Sequence, residues 1–325
     1  MPSPLKGTKV AKIPTVDLSD SKAKTADILG KALEEIGFVF MRVTGNNQVV
    51  NPVYAQFRKV FSLPVAVKEK YAHPEIFHQR GWTPNFKELG LACKKMGPEK
   101  KDRPDAKECW GMGPELKHDN PVLDFFGDFY PPNIWPDETP GLRPAMEILY
   151  THLHHFGMVA LELLETYLNK PEGYFKASTI DAPHLMRAIH YPPVTAEDAA
   201  KIQWGCKHTD INFLTVLPVS TRSGLWVRCH DGIWVPGKPD EDCVIVQVGD
   251  MLQHHTEGRF RSAVHEVRAP KEGTTEGRFS AAFFTHARPD IVLNPNPTGS
   301  RFRPITAGDY LRKRLKAIGL AATRY

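Results

Sequence analysis

The sequence lacks the features of a membrane protein, a secreted protein or a disulfide scaffold. No run of about 18 apolar residues is present, so no stretch is long enough for a membrane-spanning helix. The opening residues, MPSPLKGTKVAKIP, lack the apolar core of a secretory signal. The five cysteines are scattered without a C-x-x-C pair, a pattern that fits reduced thiols better than disulfides. We therefore expect a cytoplasmic protein with no membrane partner.

A strong charge of one sign is also lacking. The 42 lysines and arginines only slightly exceed the 37 aspartates and glutamates, which gives a net charge of +5. The densest basic stretch, 94–103, is interrupted by Glu99 and Asp102, so we expect no nucleic-acid partner. A small positive charge can still attract an anionic small molecule. The sequence leaves open whether the chain is a monomer or a dimer.

A chain of 325 residues is long enough for two domains, but a β barrel with added helices reaches this length as one unit. We predict a single domain over 1–325 with three parts. These are a helical N-terminal part with lid-like loops over about 1–170, a β-rich core over about 185–290, and a C-terminal helix over about 305–325.

Seven strand candidates follow one another from Leu185 onward. They are short, rich in β-branched and aromatic residues, and separated by turn signals, including Asp231-Gly232 as the turn of a hairpin. Their sequences are MRAIHY, FLTVLP, GLWVRC, GIWVP, CVIVQVGD, RSAVHEV and SAAFFTH. Together with one N-terminal strand they predict a mainly β fold with flanking helices, whose core is a double-stranded β-helix, or jelly roll.

Four helices are predicted around this core from apolar residues at three- and four-residue steps. The longest has one continuous apolar face, so we expect it to buttress the sheet. The stretch 73–140 shows no such periodicity and is predicted to form lid or substrate loops. The predicted helices cover about 21–37, Pro52 to Ser62, Pro144 to about Leu168, and a stretch that begins near Thr306 in a T-x-x-D capping sequence.

Three side chains with metal-binding chemistry lie within GCKHTDINF and RSAVHEV. In an extended strand, residues two apart project from the same face, so His208 and Asp210 are expected to point the same way. His265, from a strand far along the sequence, would complete a set of two imidazoles and one carboxylate. Such a set leaves positions open on the metal and is diagnostic of non-haem Fe(II) oxygenases. We predict that these three residues are the metal ligands and the catalytic centre.

Arg278 and Ser280 repeat the two-residue spacing in GRFSAAFF. Their guanidinium and hydroxyl are therefore expected on the same side of a strand. A planar, permanently charged guanidinium is suited to two-pronged binding of a carboxylate. A dicarboxylate bound there by one end would have its other end free for the metal.

These motifs together resemble the isopenicillin N synthase-like family of Fe(II)/2-oxoglutarate-dependent dioxygenases. The similarity lies in H-T-D, in the distal histidine within G-R-x-x-S-x-x-H-x-V, and in R-x-S, with IPTVDLS, HYPP and PITAGDYLRKRL in the family's usual order. It implies Fe(II) on the three ligands, 2-oxoglutarate on Arg278 and Ser280, and O2 as co-substrate. It also implies that Tyr191 reaches toward a carboxylate. Many relatives have asparagine two positions before that tyrosine, where this chain has Ile189.

The resemblance also implies the reaction, in which a small molecule undergoes hydroxylation, desaturation or cyclisation while succinate and CO2 are released. Halogenating relatives have a small residue in place of Asp210, so halogenation is not expected. Two alternatives stay open. One is an iron-dependent oxidase of the same fold that does not use 2-oxoglutarate. The other is a non-catalytic jelly-roll protein with structural zinc, although structural zinc sites usually have four protein ligands.

Five further residues are candidates for contact with the substrate. Arg187 is placed to meet an anionic group, but it could equally form an ordinary surface ion pair. The other four suit an aromatic or apolar substrate, but they suit core packing as well: Arg80, Trp82, Trp110 and Phe284.

Overall fold

The computed structural model describes residues 12–85, 105–240, 242–294 and 301–318. Two β-sheets line one pocket, and helices pack against the larger sheet. The strands are β1 Thr15–Asp17, β2 Phe38–Arg42, β3 Gly81–Thr83, β4 Glu108–Met112, β5 Leu185–Tyr191, β6 Gly205–His208, β7 Leu214–Pro218, β8 Leu225–Arg228, β9 Trp234–Pro236, β10 Cys243–Val248, β11 Val264–Val267, β12 Arg278–Thr285, β13 Val292–Leu293 and β14 Ile305–Thr306. The helices are α1 Lys22–Glu35, α2 Asn46–Phe61, α3 Val65–Lys68, α4 Val122–Phe126, α5 Leu142–Tyr167, α6 Tyr174–Thr179, α7 Asp250–His255 and α8 Ala307–Ala317.

The larger sheet has the strand order β1-β2-β10-β7-β12-β5-β4-β3, and the smaller sheet has the order β6-β11-β8-β9. Neighbouring strands in both sheets are antiparallel, except that β1 and β2 are parallel. All seven strands predicted after Leu185 are present, and β8 and β9 form the hairpin predicted at Asp231-Gly232. The predicted jelly-roll core with flanking helices is confirmed.

Strands β5 and β12 form one wall of the pocket. They pair from Arg278 opposite Tyr191 to Phe284 opposite Leu185. Because alternate residues of a strand face opposite sides of the sheet, Arg278 and Phe284 face the pocket, whereas Phe283 packs in the apolar core. The wall is therefore chemically polar at one end and apolar at the other.

Helix α5 is the predicted buttress. Leu149, Leu153 and Ala160 are buried on it, and the helix packs against α1, α2, β7 and β12. Gly157 allows close contact with the sheet, because a Cβ atom there would lie 2.8 Å from Thr285 Oγ1. The helix thus supports the side of β12 that faces away from the pocket.

Helix α2 starts earlier than predicted, at Asn46 rather than at Pro52. Pro52 lies inside the helix with its ring exposed, and it lacks the N–H that would donate to the carbonyl four residues back. The first turn is held by tertiary contacts instead. Asn46 Nδ2 donates to Cys243 O at 3.0 Å, and His152 Nε2 lies 2.9 Å from Asn46 Oδ1. The local sequence pattern does not show such distant partners. It predicts a helix start at Pro52, because proline is common in the first turn of a helix.

The region 73–140, predicted to form loops, contains two strands of the larger sheet. Strand β3 pairs with β4, which pairs with β5, and Trp82 lies opposite Trp110. The prediction is therefore wrong for these strands. All residues of both strands are buried, so the sequence shows no alternation of apolar and polar residues. Residues 86–104, also predicted as loops, lie outside the described residues.

The C-terminal helix α8 is confirmed together with its capping sequence. Thr306 Oγ1 accepts the Asp309 N–H at 3.1 Å and donates to Asp309 Oδ2 at 2.8 Å. These bonds fix the first turn of the helix. Leu311 and Leu315 on its inner face are buried, as the spacing predicts.

The cysteines and the helices test two expectations from composition. No described helix is long and apolar enough to cross a membrane. Cys109, Cys229 and Cys243 are not disulfide-bonded, as the scattered spacing predicts. Cys206 is disulfide-bonded, so the expectation of reduced thiols is wrong at this position. Spacing in the sequence does not reveal which cysteines a fold brings within bonding distance.

A buried ion cluster joins β4 to helix α3 and strand β5. Glu108 Oε2 accepts hydrogen bonds from Lys68 Nζ and Trp82 Nε1, both at 2.7 Å, and Oε1 lies 2.8 Å from His190 Nδ1. Burial would raise the pKa of Glu108, but the hydrogen bonds from His190 and Lys68 outweigh it and hold that pKa below its ordinary value. The buried Lys68 ammonium thus relies on Glu108 for its counter-charge.

We expect Glu108→Leu to lower the free energy of unfolding by about 3–5 kcal/mol, because it leaves the Lys68 ammonium buried without a counter-ion. Urea denaturation followed by circular dichroism measures this change. Asp27→Asn breaks the exposed pair with Lys31 and is the control, which should change the free energy of unfolding little. Similar losses in the two variants would contradict this account of the cluster.

Candidate functional site

Two histidines face each other across strands β6 and β11. His208 ends β6, His265 lies directly opposite on β11, and their ring centroids are 4.2 Å apart. His208 Nδ1 lies 2.7 Å from Cys206 O, and His265 Nδ1 lies 3.1 Å from Ala263 O. A carbonyl oxygen can only accept, so each Nδ1 carries the proton and each Nε2 keeps a free lone pair.

Asp210 follows the end of β6 and completes the cluster. Its Oδ1 lies 3.7 Å from His208 Nε2 and 3.9 Å from His265 Nε2. These distances suit ligands that each lie about 2.0–2.2 Å from one ion. The structure therefore brings together the three residues predicted as metal ligands. The histidines meet through the β6–β11 pairing, and Asp210 joins them through the two-residue spacing from His208.

The charges of these groups suit metal binding at neutral pH. Burial and the neighbouring His208 lower the pKa of His265 to about 4, so its ring is neutral and can donate an electron pair. Burial would raise the pKa of Asp210, but His265, His208 and two hydrogen bonds outweigh it and hold that pKa below its ordinary value. The cluster thus offers neutral imidazole and an ionised carboxylate.

This donor set fits one class of metal site. Two imidazole nitrogens and one carboxylate oxygen form the facial triad that binds Fe(II) in non-haem oxygenases and leaves positions open. Structural zinc sites usually have four protein ligands. Among the described residues, the cluster of possible metal ligands at this place has three members. The donors therefore favour iron that can bind further ligands.

A buried guanidinium lines the same pocket. Arg278 Nε donates to Arg222 O at 3.1 Å, and Nη2 donates to Ser220 Oγ at 2.9 Å. Its Nη1 is buried and has no hydrogen-bond partner among the described residues. Tyr191 lies beside it, with its ring centroid 4.9 Å from Arg278 Cζ, and Ser280 also lines the pocket. A bound carboxylate would supply the acceptor that Nη1 lacks.

The pocket is long enough for two small molecules. Along β5 and β12 its lining residues run from Arg278 and Tyr191 at one end to Phe284 and Leu185 at the other. At about 3.3 Å per residue, these ends lie about 20 Å apart. The metal cluster lines the same pocket, so a group bound at either end can extend toward it.

Two of the five predicted substrate residues line the pocket, namely Arg187 and Phe284. Both lie on the paired strands β5 and β12, where Arg187 is opposite Ala282. Alternation along a strand explains both positions, because each is an even number of residues from Tyr191 or Ser280.

The other three predicted substrate residues do not line the pocket. Trp82 Nε1 donates to the Glu108 carboxylate, and Trp110 is fully buried with its Nε1 bonded to a main-chain carbonyl. The Arg80 guanidinium packs against the main chain at Gly113, and burial lowers its pKa to about 10. Pairing of β3 with β4 places the two tryptophans in the core, which the sequence pattern did not show.

Several pocket residues were missed by the sequence pattern. His286 lies two positions beyond Phe284 and could have been found by continuing the alternation of β12. Thr215 and Gln247 reach Asp210 from strands β7 and β10, so only the three-dimensional pairing reveals them. The C-terminal helix was predicted to pack inward, and it lines the pocket with Leu311, Arg314, Leu315 and Ile318.

His286 is a neutral, buried imidazole beside the pocket. Burial, followed by the nearby charge of Arg187, lowers its pKa to about 4. Its main-chain N–H donates to His184 Nδ1 at 3.1 Å. Its own Nδ1 is buried and lacks a hydrogen-bond partner among the described residues. The ring can therefore exchange a hydrogen bond with a polar group in the pocket.

Two protein-family models match the chain. The model described as the 2OG-Fe(II) oxygenase superfamily matches residues 182–287, which contain all three members of the metal cluster. The model described as the N-terminal region of non-haem dioxygenases in morphine synthesis matches residues 13–138.

Similar proteins match over nearly the whole chain. Proline hydroxylase buaE of Petromyces alliaceus is 30% identical over 305 residues, which cover 87% of this chain and 90% of the relative. The 2-oxoglutarate-dependent dioxygenase traH of Penicillium crustosum is 29% identical and covers 95% of this chain and 94% of its own length. Among solved structures, a 2OG-Fe(II) oxygenase family protein of Caulobacter crescentus has a TM-score of 0.78 with 29% identity, and the match covers 94% of this chain and 98% of that one.

His286 should make the fold sensitive to acid. An ordinary histidine has a pKa of about 6.5, whereas folded His286 has a pKa of about 4. Between these values the unfolded chain binds an extra proton, so the free energy of unfolding falls as the pH falls. When the pH falls from 7 to 5, the free energy of unfolding of His286→Phe should decrease by about 2 kcal/mol less than that of the wild type. Urea denaturation at both pH values measures this difference, and an equal acid loss in both proteins would contradict it.

Proposed function

Because the chain belongs to the 2OG-Fe(II) oxygenase superfamily, we propose that His208, Asp210 and His265 bind its Fe(II). Main-chain carbonyl groups hold the proton of each ring on Nδ1, so both Nε2 atoms are directed toward Asp210 Oδ1. Three protein ligands leave positions on the metal for 2-oxoglutarate and O2.

The chain is an Fe(II)- and 2-oxoglutarate-dependent oxygenase that acts on a small molecule. When bound, iron and 2-oxoglutarate supply the oxidising power, and 2-oxoglutarate is converted to succinate and CO2 with O2. We propose hydroxylation, desaturation or cyclisation as the outcome, because the carboxylate of Asp210 occupies a position that halogenating relatives fill with a small residue. The side chains of the pocket must then hold two organic molecules in fixed places.

Arg278 supports the placement of 2-oxoglutarate. Arg222 O and Ser220 Oγ hold two nitrogens of its guanidinium, which fixes the plane of the group while Nη1 stays open. A carboxylate on Nη1 and on the Ser280 hydroxyl would form charge-assisted hydrogen bonds with a donor that is otherwise buried and unpaired. The keto-acid end of the same molecule would then extend toward the metal cluster, and Tyr191 would flank the carboxylate.

The opposite end of the pocket is proposed to bind the substrate. Its wall combines apolar side chains with Arg187 and the imidazole of His286. This chemistry supports a substrate with an apolar body and one polar or anionic group. Free proline, the substrate in the name of one relative, has little apolar surface and would leave much of this wall uncovered. The apolar wall consists of Leu185, Ile211, Phe284, Leu311, Leu315 and Ile318.

The organisation and location of the chain are also proposals. We propose one domain over 1–325, since the pocket is lined jointly by both sheets and by α8. We propose a cytoplasmic location, which the three cysteines without a disulfide support and the disulfide at Cys206 does not. The net charge of +5 supports small-molecule rather than nucleic-acid binding. Cell fractionation tests the location directly.

An anaerobic titration of the Fe(II) protein with 2-oxoglutarate tests the assignment of the co-substrate site. Chelation of the iron by the keto-acid produces a visible charge-transfer band, so the substrate need not be known. We expect a saturable band in the wild type. Arg278→Leu should need at least about 10-fold more 2-oxoglutarate for half-saturation, because a charge-assisted hydrogen bond is lost.

Arg222→Leu is the matched control, because its exposed guanidinium pairs with Glu276 while its main-chain carbonyl still holds Arg278. It should titrate like the wild type. Iron binding without any band would instead favour the iron-dependent oxidase that does not use 2-oxoglutarate. Equal titrations of Arg278→Leu and the wild type would show that the carboxylate binds elsewhere.

A further inference from the structure

The two oxygens of Asp210 have different surroundings. Oδ1 faces the Nε2 atoms of His208 and His265. Oδ2 accepts two hydrogen bonds from other side chains. One comes from Thr215 Oγ1 at 2.5 Å, and the other comes from Gln247 Nε2. The carboxylate is therefore held by one oxygen while the other is presented to the metal site.

The two donors are themselves fixed by the sheet. Thr215 on β7 and Gln247 on β10 are directly opposite each other in the register, so their side chains project from the same face. Both are almost fully buried. Asn212 Nδ2 donates a hydrogen bond to Thr215 Oγ1 at 3.1 Å, which further restricts the position of the hydroxyl. Neither donor can turn to water for another partner.

The orientation of the Gln247 amide follows from the acceptor. A carboxylate accepts only, so the NH2 group must face Asp210 and the amide oxygen must face away. That oxygen, Oε1, is buried and has no hydrogen-bond partner among the described residues. A buried unpaired acceptor costs free energy. The contact with Asp210 therefore determines which way the amide faces.

We propose that Thr215 and Gln247 are positioning residues that restrict Asp210 to a single metal-binding oxygen. This inference rests on the proposed role of Asp210 as an iron ligand. With Oδ2 occupied by two donors, the carboxylate supplies Oδ1 alone. A carboxylate free to chelate through both oxygens would fill one of the positions needed for 2-oxoglutarate and O2. The two donors thus preserve the number of open positions as well as the direction of the ligand.

Metal binding by the purified apoprotein tests this proposal without any substrate. Co(II) serves as the probe, since its visible absorption changes with coordination number and its affinity is measured by calorimetry. Loss of a hydrogen-bond partner of a ligand typically weakens metal binding by about 10- to 100-fold. We expect this loss and an altered Co(II) spectrum in Thr215→Val and in Gln247→Met. Thr215→Ser keeps the hydroxyl and should restore both properties.

Thr285→Val is the matched control. Thr285 lies on the neighbouring strand β12 opposite Leu214, is fully buried, and its Oγ1 has no hydrogen-bond partner among the described residues. The same change of side chain there should leave Co(II) affinity and spectrum as in the wild type. Gln247→Asn, which keeps the amide but shortens its reach, replaces Gln247→Met if that variant does not fold.

The outcomes separate this inference from the function on which it rests. If the wild type binds no Co(II), or if His265→Ala binds it equally well, the metal assignment itself is wrong. If the wild type binds and Thr215→Val and Gln247→Met match it in affinity and spectrum, the positioning role is overturned. A loss in Thr285→Val as large as that in Thr215→Val would also overturn it, since the effect would then come from general destabilisation.

Discussion

Burial of the Asp210 carboxylate is the constraint on which the site depends. A carboxylate removed from water must be paired or hydrogen-bonded, or its pKa would rise until the group became neutral. The fold meets this requirement from both sides, with one hydroxyl donor and one amide donor on Oδ2 and two imidazoles near Oδ1. The imidazoles offer lone pairs rather than protons to Oδ1, so a cation bound between the three groups, as proposed, would balance the charge of the carboxylate.

The strands β5 and β12 form one wall of the pocket that contains the proposed metal site. Their inward side chains change along the wall from the Arg278 guanidinium, through Ser280, to Phe284. This change in chemistry supports the proposal that a dicarboxylate binds at one end and an apolar molecule at the other. Because the buttressing helix α5 packs on the opposite side of β12, the spacing between these ends is held by the core. The two proposed binding sites therefore lie in a fixed order along one wall, which would orient the two bound molecules relative to each other.

The sequence predicted those features that depend on local spacing. His208, Asp210, Arg278 and Ser280 were identified from two-residue alternation within single strands, and Phe284 follows from the same rule. Features that depend on strand register were missed. Trp82 was expected at the pocket, but the pairing of β3 and β4 buries it in the core.

Thr215 and Gln247 are residues of the pocket that the sequence pattern did not indicate, again because their roles depend on strand register. Neither side chain has a sequence neighbour that marks it as special, and each gains its role only because β7 and β10 lie side by side. The start of α2 was misplaced for a related reason, since Asn46 is held by partners more than a hundred positions away. Local sequence patterns predict whether a segment is a helix or a strand, whereas contacts with distant segments determine which side chains reach the site.

Asp250 connects the metal centre to the wall formed by the last helix. Its main-chain N–H donates to Asp210 O at 2.7 Å, and its carboxylate lies 2.7 Å from Arg314 Nη2 on α8. Burial raises the pKa of Asp250, while Arg314 acts against that rise. Since Arg314 and Leu315 line the pocket, a movement of α8 away from the pocket would break an ion pair next to Asp210, the proposed iron ligand. The carboxylate and main chain of Asp250 therefore link the last helix to Asp210, although the residues involved are widely separated in the sequence.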